Sequence, residues 1–203
     1  MTETGQRTRS QDVATALVDA AERVLVREGL PAVTVRAVAA EAGVAPMGVY
    51  NRFGTKGGLV AALLVRGFDG LTAALGDLPG ADPTGRLEAS GRAYRAFALG
   101  HPQHYAAMFG PALSAGDRTE AQEVELAEHA GAAFGALERE VARAMAAGRL
   151  RRADLTETAQ AIWSAVHGAV SLELAGVQRT PDPEASYEAL LQLLLTGLGP
   201  ARG

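Results

Sequence analysis

The fold is decided by residues 33–59, which read VTVRAVAAEAGV (33–44), APMGVYNRF (45–53) and GTKGGL (54–59). Gly43 lies where a first short helix should end, and glycine readily takes the left-handed conformation that a tight turn between two helices requires. Val38 and Ala39 give the first helix a small apolar face, and Val49 is placed to pack against it from the second helix. The segment therefore predicts a helix-turn-helix with its turn at Gly43 and its second helix opening at Pro46.

The rest of the chain has the composition of an all-α protein. Ala, Leu, Glu and Arg dominate, and alternating β-branched runs bounded by turns are missing. Start signals recur at Thr34, Thr55, Asp82 and Asp182, and Asp117 with Glu120 has the spacing of a capping box, as has Asp154 with Glu157. We expect about nine helices, at residues 11–28, 35–42, 46–52, 55–76, 83–100, 102–109, 118–147, 155–178 and 183–198. The predicted division is an N-terminal domain over 1–56 and a C-terminal domain over 57–203.

Charge is distributed unevenly along this chain of 203 residues and net charge −4. Residues 1–66 carry eight Lys or Arg against six Asp or Glu, whereas the remainder carries eleven against seventeen. Residues 1–66, which carry the excess of positive charge, are therefore the part of the chain suited to contact with nucleic-acid phosphates. The absence of cysteine excludes disulfides, thiolate metal sites and cysteine nucleophiles. The longest apolar run, at 59–65, is far shorter than the roughly 20 residues of a membrane span, and residues 1–11 are polar, so a cytoplasmic protein is expected.

Residues 13–60 resemble the DNA-binding domain of the TetR family of transcriptional regulators. The family signature runs through an Ala-Gly-Val turn, a Tyr-x-x-Phe and a following Lys before an apolar helix. Residues 42–44, Tyr50, Phe53, Lys56 and Leu59 match it in register. The resemblance implies a homodimer that binds double-stranded DNA and controls transcription, typically as a repressor.

The resemblance also implies a set of DNA-contacting residues. Pro46, Met47 and Gly48 open the recognition helix and face the major groove. Tyr50, Asn51 and Arg52 reach phosphates or base edges, with Arg52 the expected direct reader. Lys56 grips a phosphate, and Thr34 and Arg36 touch the backbone on the other side. Ala45 departs from the family pattern because it replaces the usual Ser or Thr cap, and Gly48 departs because it replaces a residue that often offers a hydroxyl.

Two features of this region leave alternatives open. Gly57 and Gly58 are poor helix formers in the first turn of the fourth helix. They either make the connection between the N-terminal and the C-terminal domain more flexible or are simply tolerated there. Arg7 and Arg9 lie in a polar arm that either enters a minor groove or is an ordinary disordered tail.

A second group of residues is a candidate site for a small, largely apolar effector. Its members are aromatic side chains, histidines and one methionine on the later helices: Tyr94, Phe97, His101, His104, Tyr105, Met108, Phe109, Phe134, Trp163 and His167. The same residue types at helical spacing also make an ordinary core, so pocket and core stay alternatives. No metal site is expected, because the His101 and His104 pair lacks a third ligand, and no cofactor is implied. Residues 101–110 and 163–168 are similar to the C-terminal domain of the TetR subgroup named after its Trp, His and Gly.

The last two predicted helices carry apolar residues on more than one side, so a monomer would expose some of them. Pairing with a second copy would build a four-helix interface and set two recognition helices about 34 to 36 Å apart, one turn of DNA. A palindromic operator is the corresponding DNA partner. The alternatives to a regulator are a small-molecule-binding protein or enzyme that uses His101, His104 or His167, and a scaffold that binds only protein.

Overall fold

The computed structural model describes residues 3–76, 78, 82–111 and 116–200, with side chains from residue 13 onward. These residues form nine α-helices and no strand, which confirms the all-α prediction. The helices are α1 Glu3–Glu28, α2 Val35–Ala42, α3 Pro46–Phe53, α4 Lys56–Gly76, α5 Pro83–Gly100, α6 Pro102–Phe109, α7 Glu120–Ala146, α8 Leu155–Leu174 and α9 Pro183–Leu198, with a short 3₁₀ turn at Leu30–Ala32 between α1 and α2.

Helix starts follow the capping signals of the sequence. The side chains of Thr34, Asp82, Asp154 and Asp182 each accept a hydrogen bond from the backbone N–H three residues further along the chain, at 2.9 to 3.2 Å. Such a bond satisfies one of the donors that a helix leaves open in its first turn.

Two helix starts differ from the prediction. The backbone of α1 is already helical at Glu3, so Arg7 and Arg9 lie in the helix and not in an arm before it. Helix α7 begins at Glu120 and is capped by Thr119 with Gln122, instead of by Asp117 with Glu120. Asp117 instead contacts the start of α4.

The chain folds as two compact units. The first comprises residues 1–69 and 103–130, and its core is formed by side chains that are fully buried: Leu17, Leu25, Val33, Val38, Val49, Leu59, Leu63 and Met108. The apolar residues of α1, α2, α3 and α4 therefore face one another, and this arrangement fixes the position of α3.

The second unit comprises residues 70–102 and 131–203. Its buried cluster joins α5, α7 and α8 through Leu87, Val141, Ala144, Leu150, Ala159 and Ile162. Glu140 is 3% exposed within this unit, and its carboxylate accepts hydrogen bonds from Arg86 at 3.1 and 3.0 Å. A buried carboxylate needs such a partner, because an unpaired charge in the interior is strongly destabilising.

Helix α4 is the one helix among the described residues that is long and apolar enough to cross a membrane by length and composition, with a mean hydropathy of 1.5. More than half of it, 56%, is buried inside the protein. A core helix of a globular protein has the same character.

Candidate nucleic-acid interface and aromatic clusters

The turn between α2 and α3 is built around Gly43. This residue has φ 68° and ψ 30°, in the left-handed region, and the N–H of Val44 returns to the carbonyl of Ala39 at 2.9 Å. Such a turn closes the end of α2 and redirects the chain into α3 at Pro46. The predicted pair of short helices joined at Gly43 is therefore present.

Helix α3 has one buried face and one exposed face. Val49 is fully buried against the first unit's core, whereas Met47 is 64% and Tyr50 47% exposed. Val49 is the one fully buried residue of the helix and Phe53 is half-buried, whereas the face that carries Met47 and Tyr50 is exposed to a partner. Ala45 at the N-cap makes no side-chain hydrogen bond, which leaves the first-turn N–H groups of α3 without a capping side chain.

The nine residues predicted to contact DNA lie on α2, α3 and the start of α4. Eight of them are exposed and Gly48 is half-buried: Thr34, Arg36, Pro46, Met47, Tyr50, Asn51, Arg52 and Lys56 are the exposed ones. Thr34 uses its hydroxyl oxygen to cap α2, accepting from the N–H of Ala37 at 3.2 Å, and its O–H can still donate to an acceptor.

The acidic residue nearest to this group along the chain is Glu41 on α2, and it is neutralised by α1. Arg23 donates to Glu41 at 2.7 Å and Arg27 at 3.2 Å. The hydrogen bond from Arg23 lowers the pKa of Glu41, which stays ionised and paired. Its charge therefore opposes phosphate less than a lone carboxylate would.

The ten residues of the predicted effector site fall into two sets, one in each unit. In the second unit, Tyr94, Phe134, Trp163 and His167 come together from α5, α7 and α8. The indole N–H of Trp163 donates to the Tyr94 hydroxyl at 3.4 Å, and the Tyr94 hydroxyl lies 2.8 Å from Nδ1 of His167. Burial lowers the pKa of His167, so the ring is neutral and Nδ1 can accept a hydrogen bond from the Tyr94 hydroxyl.

Phe97 and His101 also belong to the second unit. Their rings stack with centroids 4.9 Å apart, and Nδ1 of the exposed His101 lies 3.1 Å from the Phe97 carbonyl oxygen, where α5 ends. His101 thus completes the C-terminus of its own helix.

The remaining four members, His104, Tyr105, Met108 and Phe109, lie on α6 in the first unit. Phe109 contacts Tyr105 at 4.9 Å and Phe68 at 6.0 Å between ring centroids. His104 is buried, with Nε2 3.1 Å from a carboxylate oxygen of Glu22, and Arg66 donates to the other oxygen at 2.8 Å. Helix α6 is thereby bound to α1 and α4. Among the described residues no group of three His, Asp or Glu side chains is placed to hold a metal ion.

Comparison with known proteins decides the family. Residues 17–63 match the family model described as "Bacterial regulatory proteins, tetR family", and residues 87–194, more than half of the chain, match the model described as "Tetracyclin repressor-like, C-terminal domain". The chain belongs to the TetR family. It is a DNA-binding, ligand-responsive transcriptional regulator, and the helix-turn-helix described above is its DNA-reading element.

Solved structures share the fold over nearly the whole chain. A protein of unknown function from Rhodococcus sp. RHA1 is 27% identical, with a TM-score of 0.81 over 93% of this chain and 96% of its own. The TetR-family regulator PfmR from Thermus thermophilus is 18% identical, with a TM-score of 0.67 over 92% and 99%. The regulator FadR from Bacillus subtilis, solved with stearoyl-CoA, is 18% identical, with a TM-score of 0.69 over 90% and 98%. No curated protein matches the sequence.

Sequence reasoning missed two residues of this TetR-family chain that touch the DNA-reading element. Gln122 lies in the first turn of α7 and Asp117 just before that helix, yet both bind residues that join α3 to α4. The sequence signal is the helix-capping character of Asp117, but the helix whose first turn it caps lies 60 residues earlier in the chain.

Proposed function

We propose that this TetR-family chain is a cytoplasmic repressor that binds a palindromic operator as a homodimer and releases it when a small, largely apolar effector binds. The observation that carries the proposal is the exposed outer surface of α3. Its single buried residue, Val49, holds the helix in place, while Tyr50, Asn51 and Arg52 are exposed. Exposed amide, hydroxyl and guanidinium groups on a short projecting helix are what reads base edges and phosphates.

The proposed contacts follow the order of the helix-turn-helix. Pro46, Met47 and Gly48 enter the major groove with the helix N-terminus, whose dipole favours phosphate. Tyr50, Asn51 and Arg52 contact bases and phosphates, with Arg52 forked on a guanine. The DNA backbone on either side is contacted by Lys56, in the first turn of α4, and by Thr34 and Arg36, at the start of α2. The proposed DNA-binding domain comprises residues 1–56 and the effector and dimer domain residues 57–203.

Exposed apolar side chains on the second unit support a dimer. Leu193 is 71% and Leu172 54% exposed, and Leu174 and Val177 are also exposed. Ile162, Val166, Val170 and Leu191, by contrast, are buried within their own chain. The contact with a second copy would therefore use the outer faces of α8 and α9 only. It would bury leucine side chains that are exposed to solvent in a single chain.

The effector would bind among the aromatic residues of the C-terminal domain. Tyr94, Trp163 and His167 bring hydroxyl, indole N–H and imidazole groups together beside the Phe134 ring, and such a mixture of aromatic and polar groups is typical of small-molecule sites. Phe97 and Phe134, in the same unit, belong to this proposal, whereas the four predicted residues of α6 lie in the first unit. An effector that binds more tightly to a dimer arrangement unsuited to the operator would increase the population of that arrangement. The population of the arrangement that fits the operator would fall correspondingly.

Salt-dependent binding to duplex DNA tests this function. Purified protein and duplexes recovered from a random pool should give an inverted repeat, with affinity that falls steeply as salt rises. The alternative function, a helical small-molecule-binding protein or enzyme without DNA binding, predicts no enriched sequence. A strictly monomeric protein at micromolar concentration would contradict the dimer.

A further inference from the structure

The start of α7 is hydrogen-bonded to the joint between the recognition helix and α4. The joint consists of Phe53, the last residue of α3, then Gly54 and Thr55, and then the first turn of α4. The side-chain amide of Gln122 donates to the carbonyl oxygen of Phe53 at 3.1 Å. The carbonyls at a helix C-terminus have no partner within their helix, so this bond satisfies one that α3 leaves open.

Both ends of the Gln122 amide are used, which fixes its orientation. Oε1 accepts from the N–H of Thr119 at 3.0 Å, and the N–H of Gln122 donates to the Thr119 hydroxyl at 3.3 Å. These two bonds form a capping box at the start of α7. The amide therefore connects the N-terminus of α7 to the C-terminus of the recognition helix through one fixed side chain.

Asp117 makes a second connection, to Thr55 and to the first turn of α4. Its carboxylate accepts from the N–H of Gly57 at 3.0 Å, and its backbone carbonyl accepts from the Thr55 hydroxyl at 2.7 Å. The Thr55 hydroxyl oxygen accepts in turn from the N–H of Gly58 at 3.0 Å. Open donors in the first turn of α4 are thus satisfied by the adjoining Thr55 and by a residue 60 positions away along the chain.

The two glycines of this turn are required by the close approach. A Cβ on Gly57 would lie 2.6 Å from the Asp117 carboxylate and 2.8 Å from its backbone nitrogen. A Cβ on Gly58 would overlap the Phe53 carbonyl oxygen and the Gln122 amide. Both glycines are buried, so they serve close packing and do not form an open, flexible joint.

We infer that Gln122 and Asp117 are positioning residues for operator recognition, an assignment that rests on the proposed function. Gln122 connects the end of the recognition helix to the first turn of α7, and Asp117 connects the first turn of α4, where Lys56 lies, to the segment just before α7. Loss of the Gln122 amide should leave the helix-turn-helix folded but less precisely placed, which costs operator affinity and spacing preference.

Two substitutions of Gln122 separate positioning from capping and from charge. Gln122→Glu keeps an oxygen for the Thr119 N–H, and so keeps the capping box, but it has no N–H for the Phe53 carbonyl. Gln122→Met removes the amide without adding charge. Gln160→Glu is the matched control, because Gln160 is an exposed helical glutamine whose amide donates to Ser164 of its own helix, at 3.1 Å. All are measured as full-length protein, with the operator duplex that the wild type selects and with duplexes whose half-sites are one or two base pairs closer or further apart.

Both Gln122 variants should bind the operator about threefold to tenfold more weakly, the range expected for one lost hydrogen bond, and should discriminate less between spacings. Their affinity for a non-specific duplex at the same salt should stay within about twofold, and Gln160→Glu should match the wild type. Wild-type affinity and spacing preference in both Gln122 variants would overturn the inference, and so would an equal loss on operator and non-specific DNA. A wild-type protein that selects no DNA would instead refute the proposed function, so the two failures are distinguishable.

Discussion

Replacement of Gly43 by alanine tests whether the turn of the helix-turn-helix is built on a left-handed residue. A Cβ at Gly43 would have no heavy atom within 4 Å, so the substitution introduces no clash, and its cost comes from backbone conformation alone. At φ 68° and ψ 30°, that cost is about 1 to 2 kcal/mol for alanine and less for asparagine, which visits this region more readily. In a chain of this size each kcal/mol corresponds to a melting-temperature change of about 2 to 4 °C. Gly43→Ala should therefore melt about 2 to 8 °C lower than the wild type, with Gly43→Asn in between.

Gly131→Ala is the matched control for this measurement. Gly131 lies exposed within α7, also with nothing within 4 Å of a Cβ, but its φ is an ordinary helical one. The same chemical change should there raise stability by up to about 1 kcal/mol. Thermal unfolding followed by circular dichroism at one fixed chain concentration compares the three variants. A Gly43→Ala protein that melts at or above the wild-type temperature would refute a turn that depends on glycine at this position.

Three further predictions concern the interface, the half-buried His167 and the buried carboxylate of Glu140. Lys56→Ala should make the negative slope of log affinity against log salt concentration shallower by about one, as the loss of one phosphate contact requires. An unchanged slope would mean that Lys56 does not contact a DNA phosphate. Because burial lowers the pKa of His167, the unfolded chain takes up a proton first as pH falls; stability conferred by the neutral ring should be complete above about pH 6.5 and decline below it. Melting curves between about pH 5 and 7 should therefore show a weaker pH dependence for His167→Asn than for the wild type, and parallel curves would count against a lowered pKa of His167 in the folded chain. Arg86→Met should lower the free energy of unfolding measured in urea, because it removes one of the two arginines that pair with the buried Glu140 carboxylate, whereas an unchanged free energy of unfolding would mean that the Arg86 pair contributes little.

The helix-turn-helix could be predicted from the sequence because short-range features determine it. Gly43 stops α2, Pro46 opens α3, and Val38 and Val49 mark the faces that meet, all within a short stretch of chain. The caps at Thr34, Asp82, Asp154 and Asp182 are equally local. What these signals share is that a residue acts on backbone groups three or four positions away, so the pattern can be read without knowledge of the tertiary fold.

The distribution of the aromatic residues could not be predicted in this way. Tyr94 and Tyr105 are close in sequence, but α5 ends at Gly100 and the two residues belong to different units. Trp163 and His167 meet Tyr94 only because α8 packs beside α5, although they lie 69 and 73 residues further along the chain. The Asp117 and Gln122 contacts are of the same kind. A residue that caps its own helix and one that caps a distant helix have the same side chain, and only tertiary packing distinguishes them.

Operator recognition, as proposed, depends on the exposed surface of α3 reading DNA in a two-fold symmetric pair. Selection from a random duplex pool at one defined salt concentration, followed by sequencing of the bound fraction, tests this directly. We expect an inverted repeat whose half-site centres lie one helical turn apart, about 10 to 10.5 base pairs, and loss of this enrichment in Arg52→Ala at an unchanged circular dichroism spectrum. A pool that stays random with the wild-type protein, or an enriched site without two-fold symmetry, would contradict the proposal.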